Sequence, residues 1–342
     1  MLFLLFVSFI ISLLLVIAST AWFTRRLETV CDLLDLPIGV LSMLGALGAN
    51  IPNYASSIVA IAGGHLDVGL GIIIGSNIYN VAIILGISIL ASRDKAGSSG
   101  IVLGVREAKD VRTIASYSLA IVCTTTLAMW LLPGTPLRLD MHQAGFAFLL
   151  LIVVALLTLA IFGTLGWHVF NRPHHADEQA SVESLATSSK RSSLMLVRWI
   201  GEALLALLVA LGGVVVMVQS GQSLTLALHM PQVLAGLLVL AVATSLPNTV
   251  VAVSLVRTNR AAACVEEVFS SNSINAALGI ALPLLIWQQM IHDRLLVILD
   301  APLMVLLTLG ALLAVLTGRL YRLLGVLLLL VYVLWVVVHV WL

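Results

Sequence analysis

Asn50-Ile51-Pro52-Asn53 and, a little downstream, Gly75-Ser76-Asn77-Ile78-Tyr79-Asn80 place a proline and several amides inside long apolar runs. Far along the chain the pattern returns as Ser245-Leu246-Pro247-Asn248 and Ser270-Ser271-Asn272-Ser273-Ile274-Asn275. A constant offset of 195 residues pairs 52 with 247, 53 with 248, 76 with 271, 77 with 272 and 80 with 275. Within that 29-residue window these five positions are the only identities, and each is Pro, Ser or Asn. Similarity between unrelated greasy helices would fall on Leu and Val instead. The stretches are therefore two copies of one unit, and the rest of the chain is its scaffold.

The scaffold belongs in a lipid bilayer. Of 342 residues, 61% are hydrophobic and 10% charged, with a mean hydropathy of +1.14. A soluble domain carries roughly 25% charge. The net charge of +1 gives no electrostatic footprint for nucleic acid. Cys31, Cys123 and Cys264 form neither a disulfide nor a zinc pattern, and no cofactor motif or catalytic motif is present. No Lys or Arg precedes the apolar run 2–22, and Arg25 and Arg26 follow it, so it reads as a first transmembrane helix rather than a leader.

A span needs about 20 apolar residues. Ten segments qualify: 2–22, 38–62, 66–92, 113–133, 142–166, 199–219, 231–256, 264–286, 297–318 and 321–342. With the N-terminus outside, fifteen of the 17 Lys and Arg fall in the inside connections, and only Arg138 and Arg294 lie outside. That bias predicts both termini outside a plasma (inner) membrane. The first Pro-Asn segment is the second span and its copy is the seventh. An odd number of crossings separates them, so the repeat is inverted. The expected fold is an all-α polytopic membrane protein of ten helices in two inverted five-helix repeats. Residues 1–166 form the first half, with its repeat at about 38–92. A polar cytoplasmic connector follows at 167–198, and the second half is 199–342, with its repeat at about 231–286. Inverted halves with interrupted helices at matching positions are the pattern of secondary transporters, whose site lies between the halves near the midplane.

Helical spacing sets Ala46, Asn50, Asn53 and Ser57 on one face, and Ala241, Ser245, Asn248 and Ala252 on its counterpart. Ser76 with Asn80, and Ser271 with Asn275, are i, i+4 pairs. Each proline also deprives a carbonyl one turn back of its amide partner, which in a bilayer must be found elsewhere. Ala46 and Ala241, at the heads of these faces, are candidate backbone-carbonyl donors. Amide, hydroxyl and carbonyl oxygens together make an all-oxygen set suited to a hard cation. Polar residues also serve as helix-packing glue in membranes, but a duplicated, register-matched set points to a site.

These segments resemble the α-repeats of the cation/Ca²⁺ exchanger superfamily, the sodium/calcium exchanger group, whose members read G-T-S-L-P-E and then G-N-x-x-G-S-N-x-x-N or -D in both repeats. This chain has Gly48-Ala49-Asn50-Ile51-Pro52-Asn53 and Ala243-Thr244-Ser245-Leu246-Pro247-Asn248 at the first motif. The resemblance implies alternating-access antiport of inorganic cations, with Na⁺, Ca²⁺, H⁺ or K⁺ as the transported ions. It also implies that Asn53, Asn80, Asn248 and Asn275 stand at the four central ligand positions, with Asn50, Ser76, Thr244, Ser245 and Ser271 around them. The acid that follows each proline in the family is an amide here, and Asn275 stands where Asp is common. A dehydrated divalent ion in a low-dielectric site normally needs carboxylates, whereas neutral oxygens alone can hold a monovalent one. Ca²⁺ exchange is therefore expected to be weakened or lost.

Glu266 and Glu267 open the eighth span beside Arg257 and Arg260, either as an interfacial pair or as a cation-access or proton-relay group. Glu202, beside Arg198, reads as a helix N-terminal charge. The expected function is a cation antiporter and not an enzyme. The alternative is a transport-inactive relative that binds a partner or regulates one in the membrane.

Overall fold

Long runs of Leu, Val, Ile and Ala without backbone partners in lipid leave helix as the way to satisfy every amide, and the described residues are helical almost throughout. The computed structural model describes residues 2–34, 44, 46–92, 100–132, 135, 144–171, 193–229, 232–257, 260–287 and 289–341. The helices are α1 (Leu2–Leu33), α2 (Ile51–Ala62), α3 (Leu66–Ala91), α4 (Val105–Trp130), α5 (Ala144–Phe170), α6 (Ser193–Ala227), α7 (Ala235–Arg257), α8 (Ala261–Ile286), α9 (Leu296–Leu316) and α10 (Arg322–Trp341). Among the described residues, nine of these are long and apolar enough to cross a membrane, and α2 is a shorter apolar helix of 12 residues. The expected second span began at 38, but most of 38–45 lies outside the described residues.

Several boundaries differ from expectation, and α1 runs on to Leu33, past the expected limit at 22. α4 starts at Val105, eight residues before the apolar run, because Glu107 folds back to accept from the Gly104 amide (2.9 Å) and caps a polar first turn. α5 and α6 both run into the expected connector 167–198, so that helix covers its two ends. Its middle, 172–192, lies outside the described residues. Glu202 is consequently not in a first turn: nine residues of helix precede it, and it pairs instead with Arg198 and with Arg26 of α1, both at 2.9 Å.

A two-stranded antiparallel ribbon was not expected. β1 (Gly100–Val102) pairs with β2 (Arg319–Tyr321), with Ile101 opposite Leu320. It ties the α3–α4 connection to the α9–α10 connection. Gly100 adopts φ +120°, and a Cβ there would overlap the Leu320 carbonyl.

α3 is buried on all sides (89% of its apolar window), whereas α1 and α10 are buried over only 22% and present Phe3, Leu14 and Leu330 outward. α3 and α8 form the centre. Asp67, at the start of α3, meets His292 just beyond the end of α8, and Ser88 near the end of α3 meets Cys264 near the start of α8. The two central helices are therefore antiparallel. α3 crosses α7 backbone to backbone: a Cβ at Gly75 would overlap the Leu237 carbonyl and lie 2.7 Å from the Ala241 Cβ. Small residues at such crossings allow the close approach that drives helix association in lipid.

Among the described residues, four stretches widen to π-helical geometry: Asn80–Leu85, Ala235–Leu240, Ala277–Ala281 and Leu296–Asp300. The first and third overlap under the 195-residue offset, just after Asn77 and Asn272. Widened turns of this kind gather at functional sites.

Candidate ion-binding site

Where α2, α3, α7 and α8 meet, the duplicated residues form one buried amide cluster. Asn50, Asn53, Asn77, Asn80, Asn248, Asn272 and Asn275 are each no more than 2% exposed. At the centre the two copies contact each other reciprocally. Asn77 Nδ2 donates to the Asn272 carbonyl and Asn272 Nδ2 to the Asn77 carbonyl, both at 3.3 Å. Asn80 Nδ2 donates to Asn272 Oδ1 (2.9 Å), and its counterpart Asn275 Nδ2 donates to Asn77 Oδ1 (3.1 Å). Exchanging each residue for the one 195 positions away maps each bond onto the other. With α3 and α8 antiparallel, the local two-fold axis lies across the helices, which is an inverted relation.

The backbone fixes which way the amides point. A carbonyl oxygen accepts but never donates, so the side chain facing one must present its NH₂. Asn77 and Asn272 face each other's carbonyls, and Asn50 Nδ2 faces the Ala46 carbonyl (2.9 Å) and Ser271 Oγ (3.0 Å). The Oδ1 of each of these three is thereby turned toward a neighbouring amide. Asn50 Oδ1 accepts from Asn53 Nδ2 (3.4 Å) and Asn248 Nδ2 (2.9 Å), while Asn272 and Asn77 accept from Asn80 and Asn275. The inner four, Asn53, Asn80, Asn248 and Asn275, thus spend their NH₂ groups outward on an anchoring layer.

Their oxygens are left over. Asn53 Oδ1, Asn80 Oδ1, Asn248 Oδ1 and Asn275 Oδ1 are all buried, and among the described residues no donor reaches any of them. Ser245 Oγ shares that condition. A buried acceptor without a partner costs about 1–3 kcal/mol, and a native fold rarely leaves one unexplained. Four of them, on the four positions that the exchanger resemblance marks as central, make a set of neutral oxygen donors that suits a hard cation.

The surrounding candidates have other occupations. Ser76 Oγ donates to the Ala241 carbonyl (3.3 Å), and Thr244 Oγ1 to the carbonyls of Leu240 (2.8 Å) and Ala241 (3.2 Å). The Ala46 carbonyl accepts from both the backbone and the side-chain amide of Asn50. Ser57, on the same face as Asn53, instead reaches the carbonyls of Gly69 (2.9 Å) and Gly279 (2.7 Å) and fastens α2 to α3 and α8. Ser271 Oγ donates to Glu267 Oε1 (2.9 Å). Glu267 is thus one hydroxyl away from Asn50, which an interfacial reading of Glu266 and Glu267 did not anticipate. Asn77 and Asn272 were absent from the expected ligand set. Their register-matched identity was the available signal, and the structure gives them an orienting role.

Comparison with known proteins agrees with this architecture. A family model described as "Sodium/calcium exchanger protein" matches residues 4–167 and 199–341. CaxA of Alkalimonas amylolytica, a candidate antiporter by name, is 35% identical over 81 residues, which is 23% of this chain and a quarter (25%) of that protein's length. Among solved structures, that of the H⁺/Ca²⁺ exchanger CAX superposes with a TM-score of 0.76 at 16% identity, covering 97% of this chain and 82% of that one. The sodium-calcium exchanger NCX_Mj gives a TM-score of 0.60 at 19% identity, covering 98% and 99%. At these identities the two structures establish a shared fold.

Proposed function

The chain belongs to the sodium/calcium exchanger protein family, and on that premise we propose that it is a cation antiporter whose amide cluster carries an alkali-metal cation in place of Ca²⁺. The observation that carries this reading is the set of four buried, unpartnered amide oxygens on Asn53, Asn80, Asn248 and Asn275. Oxygen donors favour a hard cation, and their neutrality favours a single charge. The cost of bringing an ion from water into a low-dielectric site grows with the square of its charge, so a divalent ion pays about four times as much as a monovalent one. Carboxylates offset that cost in a Ca²⁺ site, and the inner four here supply none.

Alternating access would come from α1 and α6, which pack along each other, moving against the central helices. The division into halves at 1–166 and 199–342, and both termini outside, are part of the same proposal and rest on the basic-residue bias. The family is one of ion transporters rather than enzymes.

The test is a liposome flux panel covering Na⁺, K⁺, Ca²⁺ and H⁺, run on the wild type and on an Asn53→Glu/Asn248→Glu double variant. Wild type is expected to exchange an alkali cation and not Ca²⁺, with Ca²⁺ flux gained in the double variant. Ca²⁺ uptake by the wild type at the level of the variant would sink the proposal. Silence of both forms toward every ion would also defeat it, in favour of a membrane protein that binds without transporting.

A further inference from the structure

A second buried polar group lies outside the amide cluster. Asp300, in the widened turn that opens α9, is fully buried, and His339 near the end of α10 is 5% exposed. Trp335 Nε1 donates to Asp300 Oδ1 (2.7 Å). His339 Nε2 lies 3.1 Å from Asp300 Oδ1 and 3.3 Å from Oδ2, and its Nδ1 lies 3.0 Å from the Trp335 carbonyl.

These distances fix a proton count. The Trp335 carbonyl can only accept, so His339 Nδ1 carries hydrogen. Nε2 then faces a carboxylate, and two bare lone pairs at that separation would repel. A further proton must therefore sit between Nε2 and the carboxyl group, whichever atom holds it. The pair is neutral overall while it shares that proton, which is the state a buried ionisable group in a bilayer requires. When the proton leaves for water, its bonding electrons stay behind as a lone pair on Nε2, and Asp300 is left as a buried anion with the Trp335 indole as its donor. The contact between α9 and α10 then turns from attraction to repulsion.

Both helices also lean on the amide cluster. One turn beyond Asp300, Met304 Sδ accepts from Asn77 Nδ2 (3.4 Å). From His339 a row of tilted and edge-to-face rings leads inward: Trp335 at 5.1 Å, Tyr332 at 5.5 Å from Trp335, and Tyr79 at 6.0 Å from Tyr332, with Tyr79 adjacent to Asn80. We propose that Asp300 and His339 form a buried proton-binding site that latches α9 to α10 against the amide cluster and makes cation binding there depend on pH. The coupling, though not the proton site itself, rests on reading the amide cluster as the cation site. Beyond Trp335 the neighbouring titratable groups are Tyr332 of α10 and then Tyr79 of α3, and Trp130 of α4 donates to the Val297 carbonyl (3.0 Å) three residues before Asp300. Asp293, ahead of α9, adds a negative charge that acts on His339.

Linkage gives the sign. The latch exists only while the pair holds the shared proton, so the stability it adds is present at low pH and lost once that proton is released as pH rises. The experiment follows the thermal midpoint of the purified full chain from about pH 6 to about pH 9, without added alkali cation and with saturating K⁺ or Na⁺. Wild type should lose thermal midpoint as pH rises. Asp300→Asn, which keeps a neutral hydrogen bond to Nε2, and the Asp300→Asn/His339→Gln double variant should both lose that slope. Should neither variant fold, infrared titration of the wild type decides, by loss of a buried carboxyl or imidazolium signal over the same range. A slope unchanged in both variants, or no titrating signal in the wild type, overturns the proton site. Equal cation stabilisation of the wild type at both ends of the range overturns the coupling. Absence of cation stabilisation at any pH overturns the coupling and the cation reading of the amide cluster together, and leaves the slope to judge the proton site.

Discussion

The two copies of the Pro-Asn and Ser-Asn unit agree at the centre and diverge one layer out. Each contributes two inner amides with unpartnered oxygens, and each contributes one anchoring Asn that grips the other copy's backbone. Around these, the symmetry breaks. Pro52 begins a fresh helix after a turn at Asn50, whereas Pro247 sits inside a continuous α7. Asn50 links Ala46, Ser271, Asn53 and Asn248, while Ser245 at the matching position has no partner for its hydroxyl among the described residues. The second copy brings an acid toward the cluster, Glu267, which reaches Asn50 of the first through Ser271, whereas the first copy's Asp67 pairs with His292 away from it. The cluster thus has a two-fold inner set held by a one-sided network. On the proposed reading the inner positions are alike because a bound cation would meet both copies, and the outer ones differ because each orients the inner amides from a different helix geometry.

The sharpest way to break this comparison is to truncate the two matching positions separately. Asn50→Ala removes the acceptor for two buried amide groups and a donor to Ser271. At about 1–3 kcal/mol for each buried group left without a partner, the loss is expected to reach about 3 kcal/mol or more. Asn53 and Asn248 would also be free to rotate, so stabilisation by an alkali cation should disappear. Ser245→Ala removes a hydroxyl that has no partner, and a change within about 1 kcal/mol is expected. Thermal unfolding of both variants with and without K⁺ measures this. Equal effects at the two positions would mean that the anchoring network is not one-sided.

A middle-sized effect is expected at Gly75 and its counterpart Ser270. The motif reads Gly-Ser-Asn in one copy and Ser-Ser-Asn in the other. Gly75→Ser would drive a Cβ into the Leu237 carbonyl and the Ala241 side chain, and such overpacking costs about 1–3 kcal/mol. Ser270 is half-buried, and Ser270→Gly should cost under about 1 kcal/mol, the usual helix penalty of glycine. Thermal midpoints of the two single variants check the contrast. If Gly75→Ser were as mild as its reverse, the tight α3–α7 crossing would not be what holds the first copy in place.

Much of this was legible in the sequence because a bilayer allows so few solutions. Apolar length located the long helices, and identities confined to Pro, Ser and Asn located the cluster. The same four residues that the motif singled out, Asn53, Asn80, Asn248 and Asn275, are those with unpartnered oxygens. What sequence could not supply was direction. An Asn carries a donor and an acceptor on one planar group, and only the positions of the Ala46, Asn77 and Asn272 carbonyls decide which end faces inward. Asn77 and Asn272 were left out of the expected ligand set for that reason. Helix ends were misread where polar residues continue a helix past its apolar run, as at Val105 and Ser193. The Asp300–His339 pair joins residues 39 positions apart, on helices whose spacing carries no local pattern.

The smallest expected effect concerns α1 and α6, which also differ from one end to the other. Ser8 and Ser220 share a neutral hydroxyl contact at 2.9 Å. Toward the other end Arg26 pairs with Glu202 and lies over the Trp199 ring at 4.2 Å. Both ion-pair partners are partly solvent-exposed, so the charge term is screened, and exposed pairs contribute about 0–1 kcal/mol. Glu202→Gln should therefore lower the thermal midpoint slightly at low salt and not at all at high salt, where the Debye length falls to about 3 Å. Arg26→Leu should cost more than Glu202→Gln and retain part of its effect in high salt, because it also removes the cation–π contact, worth roughly 0.5–1 kcal/mol at an exposed site. Equal losses in the two variants, both erased by salt, would reduce this end of α1 and α6 to a plain ion pair. A salt-resistant excess in Arg26→Leu would identify Trp199 as the residue that holds it.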